Sequence, residues 1–133
     1  DEVLEASRDL LKDNGYLILE FANKCHIKAR ITQFLKGNFT FSIDIHPHDI
    51  TSGRAKKQKT LPFLNFHPDY IDQKLKDFEF STVEKRSVSN IRSPFVKKFF
   101  PINTLISLEK YLQKPLAKIN FGPSIFILAR KIG

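Results

Sequence analysis

The sequence predicts an α/β fold: a small sheet with two parallel strands, helices packed on it and additional chain stacked at one end. Three observations carry that prediction. Tyr16-Leu17-Ile18-Leu19-Glu20-Phe21-Ala22 is apolar on both faces apart from Glu20, the pattern of an interior strand covered on both sides. An amphipathic stretch precedes it, with Val3, Leu4, Ser7, Leu10 and Leu11 on one helical stripe, acids at Asp1, Glu2 and Glu5, and Lys12 in the last turn. Two further strand patterns follow downstream: a charged one from Phe80 to Val88 and an apolar one from Ser124 to Arg130.

Gly15 is expected to supply the left-handed residue that ends the first helix. After the central strand, Lys24 to Lys36 carries Ile27, Ile31, Phe34 and Leu35 at helical spacing, and Gly37 stops it. Phe39 to Ile45 alternates, as a short strand or an extended lid would. A polar, basic loop then closes with Leu61-Pro62-Phe63-Leu64-Asn65-Phe66. Pro68 suits the first turn of a helix whose buried face is Ile71, Leu75 and Phe78. Glu84, Lys85 and Arg86 place the next strand at a sheet edge. Ser93-Pro94 starts a short helix over Phe95 to Phe100. Pro101 permits a restart, and Ile102, Leu105, Leu108 and Leu112 stripe a second helix to Gln113. Gly122-Pro123 breaks the chain before the last strand. Right-handed crossover makes the first and charged strands run the same way, and the more apolar last strand belongs between them. The predicted order is first, last, edge. No internal repeat or low-complexity segment occurs.

At 133 residues the chain is one domain, and 41% hydrophobic residues with thirteen Phe argue for a folded globule. A single cysteine, Cys25, excludes an internal disulfide and fits a reducing, cytoplasmic setting. No apolar run has the length of a transmembrane segment, and no signal peptide opens the chain. Asn38-Phe39-Thr40 is therefore read as a chance glycosylation match. A start at Asp1 and the lack of any methionine lead us to expect a processed or excised piece.

The net charge of +8 is concentrated in Arg54, Lys56, Lys57 and Lys59, and in Lys85, Arg86, Arg92, Lys97 and Lys98. Such stretches attract phosphorylated substrates, nucleic acid or acidic membranes. They also suit a solvated loop and an exposed sheet edge, the reading favoured here because no nucleic-acid-binding motif accompanies them.

Ligands of open α/β sheets sit beyond the carboxyl ends of the parallel strands. Those ends lead into Asn23-Lys24 and Ser89-Asn90-Ile91-Arg92, so Asn23, Lys24, Ser89, Asn90 and Arg92 are the candidate substrate-binding residues. The Arg92 fork suits a carboxylate or phosphate; alternatively it pairs with Glu84 or a carbonyl while Ser93 caps the helix. Glu20 is expected to be the one polar residue of a buried strand, satisfied by a neighbour. Asp44, His46, His48 and Asp49 form the only metal-like cluster. Pro47 interrupts it and no Cys or Glu joins it, so it is read as a polar loop. Cys25-His26 does not make a nucleophile–base pair, because adjacent helical residues point about 100° apart. No catalytic residue is identified.

The stretch from Val3 to Phe21 resembles helix D and the fifth strand of class I S-adenosylmethionine-dependent methyltransferases, where a leucine–lysine–x–x–glycine turn leads into a hydrophobic strand. Leu75-Lys76-Asp77-Phe78-Glu79-Phe80 is similar to the approach to that family's sixth strand, with Glu79 where Gly is usual. Gly122 to Lys131 resembles its closing strand, and Val88-Ser89-Asn90-Ile91-Arg92-Ser93-Pro94 is similar to a run in a subgroup of uncharacterised bacterial members. The resemblance implies a partial Rossmann-like mixed sheet, with an antiparallel C-terminal strand between two parallel ones. Residues 1–133 would be the C-terminal half of the domain, with cap-like insertions at 38–66 and 93–117. The implied activity is methyl transfer from S-adenosylmethionine to an unidentified small molecule, an anion among the candidates, with the isolated piece inactive. The family's cofactor-binding Gly-rich loop and acidic strand end have no counterpart here, and no G-x-G occurs.

Two consequences follow. The missing N-terminal half, a second copy, or the 38–66 segment should cover the strand at 16–22, since an unpaired apolar edge recruits other chains. The alternative function is a non-enzymatic basic module for nucleic acid or an acidic partner. Outward aromatics beside the basic loop favour that module, and burial of Phe63 and Phe66 against the sheet opposes it.

Overall fold

The computed structural model describes residues 1–51, 61–91 and 93–133. In chain order the elements are α1 (Glu2–Leu10), β1 (Tyr16–Ala22), α2 (Ile27–Leu35), β2 (His48–Asp49), β3 (Leu64–Asn65), α3 (Pro68–Asp77), β4 (Phe80–Val88), α4 (Pro94–Phe99), α5 (Ile102–Ala117) and β5 (Ser124–Lys131). The architecture is α/β, built on a small antiparallel sheet with flanking helices.

The sheet order is β1-β5-β4, so the last strand lies between the other two, as its apolar sequence requires. Both ladders are antiparallel: Leu19 faces Ile127 in one, and Lys85 faces Ile127 in the other. The predicted order of first, last and edge strand is the one observed, and β1 and β4 run the same way because each is antiparallel to β5. β1 and β4 share a direction only through β5, and no parallel ladder joins them. Val83 is the extra residue of an irregularity between Thr82 and Glu84, which keeps β4 in register with β5 on either side.

One face of the sheet carries the core. Phe21, Ile125, Ile127, Ala129 and Phe80 from the strands meet Leu4 of α1 and Ile71 and Leu75 of α3, with Leu17, Leu19 and Phe66 packed against them. Leu75, Phe80, Ile125 and Ile127 are fully buried. Each such side chain contributes roughly 1.5–3 kcal/mol by leaving water. α3 starts where Pro68 predicts; His67 caps it, its Nδ1 accepting from the Asp69 N–H at 3.1 Å.

The opposite face differs from expectation. β1 is an edge strand rather than an interior one, with Tyr16, Ile18 and Glu20 exposed. Glu20 therefore stands in water and is not a buried group awaiting a partner. α5 covers only the β4 side of this face, held by Lys114 to Glu84 at 2.7 Å and by Arg86 to Gln113. Ile18, Phe126 and Leu128 are left lining an open groove of about 380 Å³. Among its described residues, the 38–66 segment reaches the outer edge of β1 at its end: the Phe66 N–H donates to the Ala22 carbonyl and the Lys24 N–H to the Phe66 carbonyl. The edge over residues 16–21 has no strand partner among the described residues.

Four local expectations are also corrected. The left-handed residue after α1 is Asn14 (φ 63°) rather than Gly15. Gly15 is needed for space, since a Cβ there would lie 2.7 Å from the Lys12 carbonyl oxygen. Phe39 to Ile45 forms turns and no strand, with Phe41 alone buried. α2 begins at Ile27 and buries no residue, so its Ile31, Phe34 and Leu35 face solvent. α5 runs past Gln113 and through Pro115 to Ala117, while Ile102 and Leu108 of its stripe are exposed. The basic residues Arg54, Lys56, Lys57 and Lys59, and Arg92, lie outside the described residues.

Candidate functional site

Because β1 and β4 share a direction, their carboxyl ends lie at one edge of the sheet, either side of the turn that leads into β5. That turn is tied to both strand exits. The Asn23 side-chain N–H₂ donates to the carbonyls of Asn120 (2.8 Å) and Gly122 (2.7 Å), while its Oδ1 accepts from the Cys25 N–H at 2.9 Å. On the other side the Gly122 N–H donates to Ser87 Oγ at 2.8 Å, and Ser87 Oγ donates to Asn90 Oδ1. Gly122 sits at the centre because nothing larger fits. A Cβ there would lie 2.5 Å from both Ser87 Oγ and the Val88 carbonyl, and 2.6 Å from Asn90 Oδ1.

Asn90 is held a second time, from the far side. Its backbone and side-chain N–H groups donate to Glu109 Oε1 at 3.0 and 2.9 Å, and the Ile91 N–H donates to Glu109 Oε2 at 3.2 Å. α5 is thereby fastened to the β4 exit by a carboxylate. Ser89 adopts a left-handed φ of 59° and breaks the strand. Between this exit and α5 opens the largest groove of the site, about 670 Å³. Its walls include Val88, Ile91, Ile102, Leu105 and Ile106, with Ser89, Lys97 and Lys110 among the polar groups. The lining suits an apolar molecule with a few polar or anionic groups.

The β1 exit is different in character. Lys24 is 2% exposed, and its ammonium donates to the Asp44 carbonyl (2.7 Å), the Asp44 carboxylate (2.8 Å) and the His46 carbonyl (2.8 Å), above the Phe41 ring. All three donors are engaged. The Lys24 bond, and then the His46 N–H, hold the Asp44 carboxyl below the usual aspartate range. Burial pushes the neighbouring Cys25 thiol up, away from the thiolate a nucleophile needs.

The sequence-predicted residues thus fall into three groups. Ser89 lines the large groove; Asn90 orders its wall; Asn23 and Lys24 are buried with their polar side-chain atoms turned onto the chain's own backbone and Asp44. Arg92 lies outside the described residues. Glu84, its alternative partner, is engaged by Lys114 and Arg86, whose hydrogen bonds hold its carboxyl low. Ser93 is the N-cap residue of α4, but its side chain makes no capping bond. Sequence reasoning missed Glu109. The available signal was its isolation, as the single acid among ten basic residues over positions 85–133.

Among the described residues no three His, Cys, Asp or Glu side chains converge as a metal site. Asp44 and Asp49 cap turns, accepting from the N–H groups of His46 and Thr51, and His48 packs edge-on to Phe41. The residues present also do not fit the grip of S-adenosylmethionine, since the exits of β1 and β4 offer no glycine-rich turn. No helix among the described residues is long and apolar enough to cross a membrane. Comparison with family models gives no match to this chain, and comparison with curated proteins gives none either.

Proposed function

We propose that the chain is the acceptor-binding, C-terminal half of a Rossmann-like, S-adenosylmethionine-dependent methyltransferase, working in the cytoplasm on a small molecule. The observation that carries this reading is β5, an antiparallel strand inserted between two strands that share a direction. This is the arrangement the sequence resemblance implies for the closing half of such a sheet. The open outer face at Ile18, Phe126 and Leu128 and the unpaired β1 edge are consistent with it, being where the other half would pack. In this reading the groove beside Ser89, Ile91 and Leu105 holds the acceptor, with Lys97 and Lys110 drawing an anionic group. The cofactor belongs to the other half, so no chemical step is assigned to residues here.

The test is calorimetric titration of S-adenosylmethionine into the full gene product and into residues 1–133 alone. Binding to the first and none to the second is expected. A full product that fails to bind would overturn the proposal. The second reading, a basic module for nucleic acid, is favoured by one observation: Phe63, beside the basic loop, is 59% exposed. Phe66, packed against the core and stacked on Tyr70, opposes it. Oligonucleotide binding that survives high salt would promote that module over the methyltransferase.

A further inference from the structure

We infer that α4 and the start of α5 form a docking surface for an anionic lipid bilayer. The inference goes beyond methyl transfer and does not depend on it, although Lys97 and Ile102 also line the groove proposed for the acceptor. Phe95, Phe99 and Ile102 are 71%, 62% and 74% exposed, and Phe100 is more than half exposed. The rings of Phe95 and Phe99, one helical turn apart, lie 4.7 Å centre to centre, so they present one apolar patch and not two isolated contacts. Leaving this much aromatic and aliphatic surface in water is costly, and a patch of this kind marks an interaction site.

Charge decides among its possible occupants. Lys97 and Lys98 stand on the same short helix, exposed. From Lys85 to Leu108 the sequence has no acid at all, and the first one after that, Glu109, is spent on Asn90 and Ile91. A symmetric pairing of this face with that of a second copy would bring these lysines against one another. An acidic bilayer accepts both features at once: Phe and Ile enter the headgroup boundary while lysine ammoniums remain among the phosphates. Nucleic acid matches the charge but not Ile102, because an aliphatic side chain has no face on which a base stacks.

The test is co-sedimentation of residues 1–133 with phosphatidylcholine vesicles and with mixed phosphatidylcholine–phosphatidylglycerol vesicles. Binding is expected on the mixed vesicles only. K97Q/K98Q should weaken it by roughly thirtyfold, since each lysine near an anionic surface is worth about fivefold. F95S/F99S should weaken it by on the order of tenfold by removing inserted apolar area. Circular dichroism matching that of the parent chain would show both variants folded, as expected for exposed positions. Three results would each overturn the inference: no binding to mixed vesicles, undiminished binding by folded F95S/F99S, or a Phe-dependent dimer in the absence of lipid. Phe-dependent binding to a single-stranded oligonucleotide, tighter than to the vesicles, would also overturn it.

Discussion

Glu109 accepts two hydrogen bonds from Asn90, one from its backbone and one from its side chain, and in doing so ties α5 to the end of β4. Without that carboxylate, Asn90 and Ile91 would present unpaired N–H groups at a partly buried strand exit. Bonds to a charged acceptor are worth more than neutral ones.

Glu109→Ala is therefore expected to destabilise the chain by about 1.5–3 kcal/mol, with Glu109→Gln intermediate. Denaturant unfolding measures the loss, and amide exchange should quicken first at Asn90 and Ile91. Exchange that speeds uniformly through the sheet would show that Glu109 does not act through this exit.

Gly122→Ala should be comparably damaging, by roughly 1–3 kcal/mol, because the new Cβ meets the Val88 carbonyl as well as side chains. Glu79→Gly should do the reverse. Glu79 sits at φ 63°, where an L residue costs about 1–2 kcal/mol that glycine avoids. Glycine's greater freedom in the unfolded chain returns about 0.4–1 kcal/mol of that. A net gain of roughly 0.5–1 kcal/mol is expected from thermal or denaturant unfolding. The ion pair lost with Glu79, to Arg8 at 4.0 Å and mostly exposed, is too weak to reverse the sign.

The contrast between Glu79 and Glu109 marks what was legible in the sequence. Glu79 departs from a local pattern, and local patterns also placed α3 at Pro68, β4 at Phe80–Val88 and the apolar strand between its neighbours. Glu109 acts on a residue nineteen positions upstream. No periodicity within its own helix records such a partner. Phe39 to Ile45 failed for a related reason: alternation of Phe39, Phe41, Ile43 and Ile45 fits a strand, but only Phe41 finds a cover, under the Lys24 ammonium. Apolar pattern reports what a chain is able to bury. It does not report whether a covering surface exists, as exposed Ile18 and Phe34 show.

Acid should loosen the strap between Lys24 and residues 44–46. The folded-state value of Asp44 is lowered, so the stabilisation is fully present above the ordinary aspartate range near about 3.9 and is lost as pH falls through the lower folded value. The expected signature is an acid-induced shift of the His46 amide resonance, ahead of global unfolding. Asp44→Asn should abolish that titration. A His46 amide that titrates identically in Asp44→Asn would exclude this carboxylate as the cause.

Cys25 should be slow to react with a thiol reagent in the folded chain and fast in denaturant. It is 2% exposed, and burial raises its thiol despite the adjacent Lys24. Rapid labelling under native conditions would mean that the β1 exit opens readily.

The last prediction concerns the edge of β1. Residues 17–21 carry Leu17, Leu19 and Phe21 towards the core and Ile18 and Glu20 outwards, with no strand on the outer edge among the described residues. Two copies paired antiparallel about Leu19 would set Leu17 against Phe21 and Ile18 against Glu20. No like charges would then oppose one another, and Phe66 would stay clear at the Ala22 end. Residues 1–133 in isolation are accordingly expected to self-associate through β1, bringing the uncovered Ile18, Phe126 and Leu128 surface to the new interface. Ile18→Glu sets a carboxylate opposite Glu20 of the other copy on both sides of that seam and should return the chain to a monomer in light scattering. It should cost little stability, because Ile18 is already 69% exposed. If the other half of a methyltransferase sheet occupies this edge, association should also vanish in the full gene product without any mutation. Association that persists there, or a parent chain that is monomeric from the outset, would remove the open edge as support for the half-domain proposal.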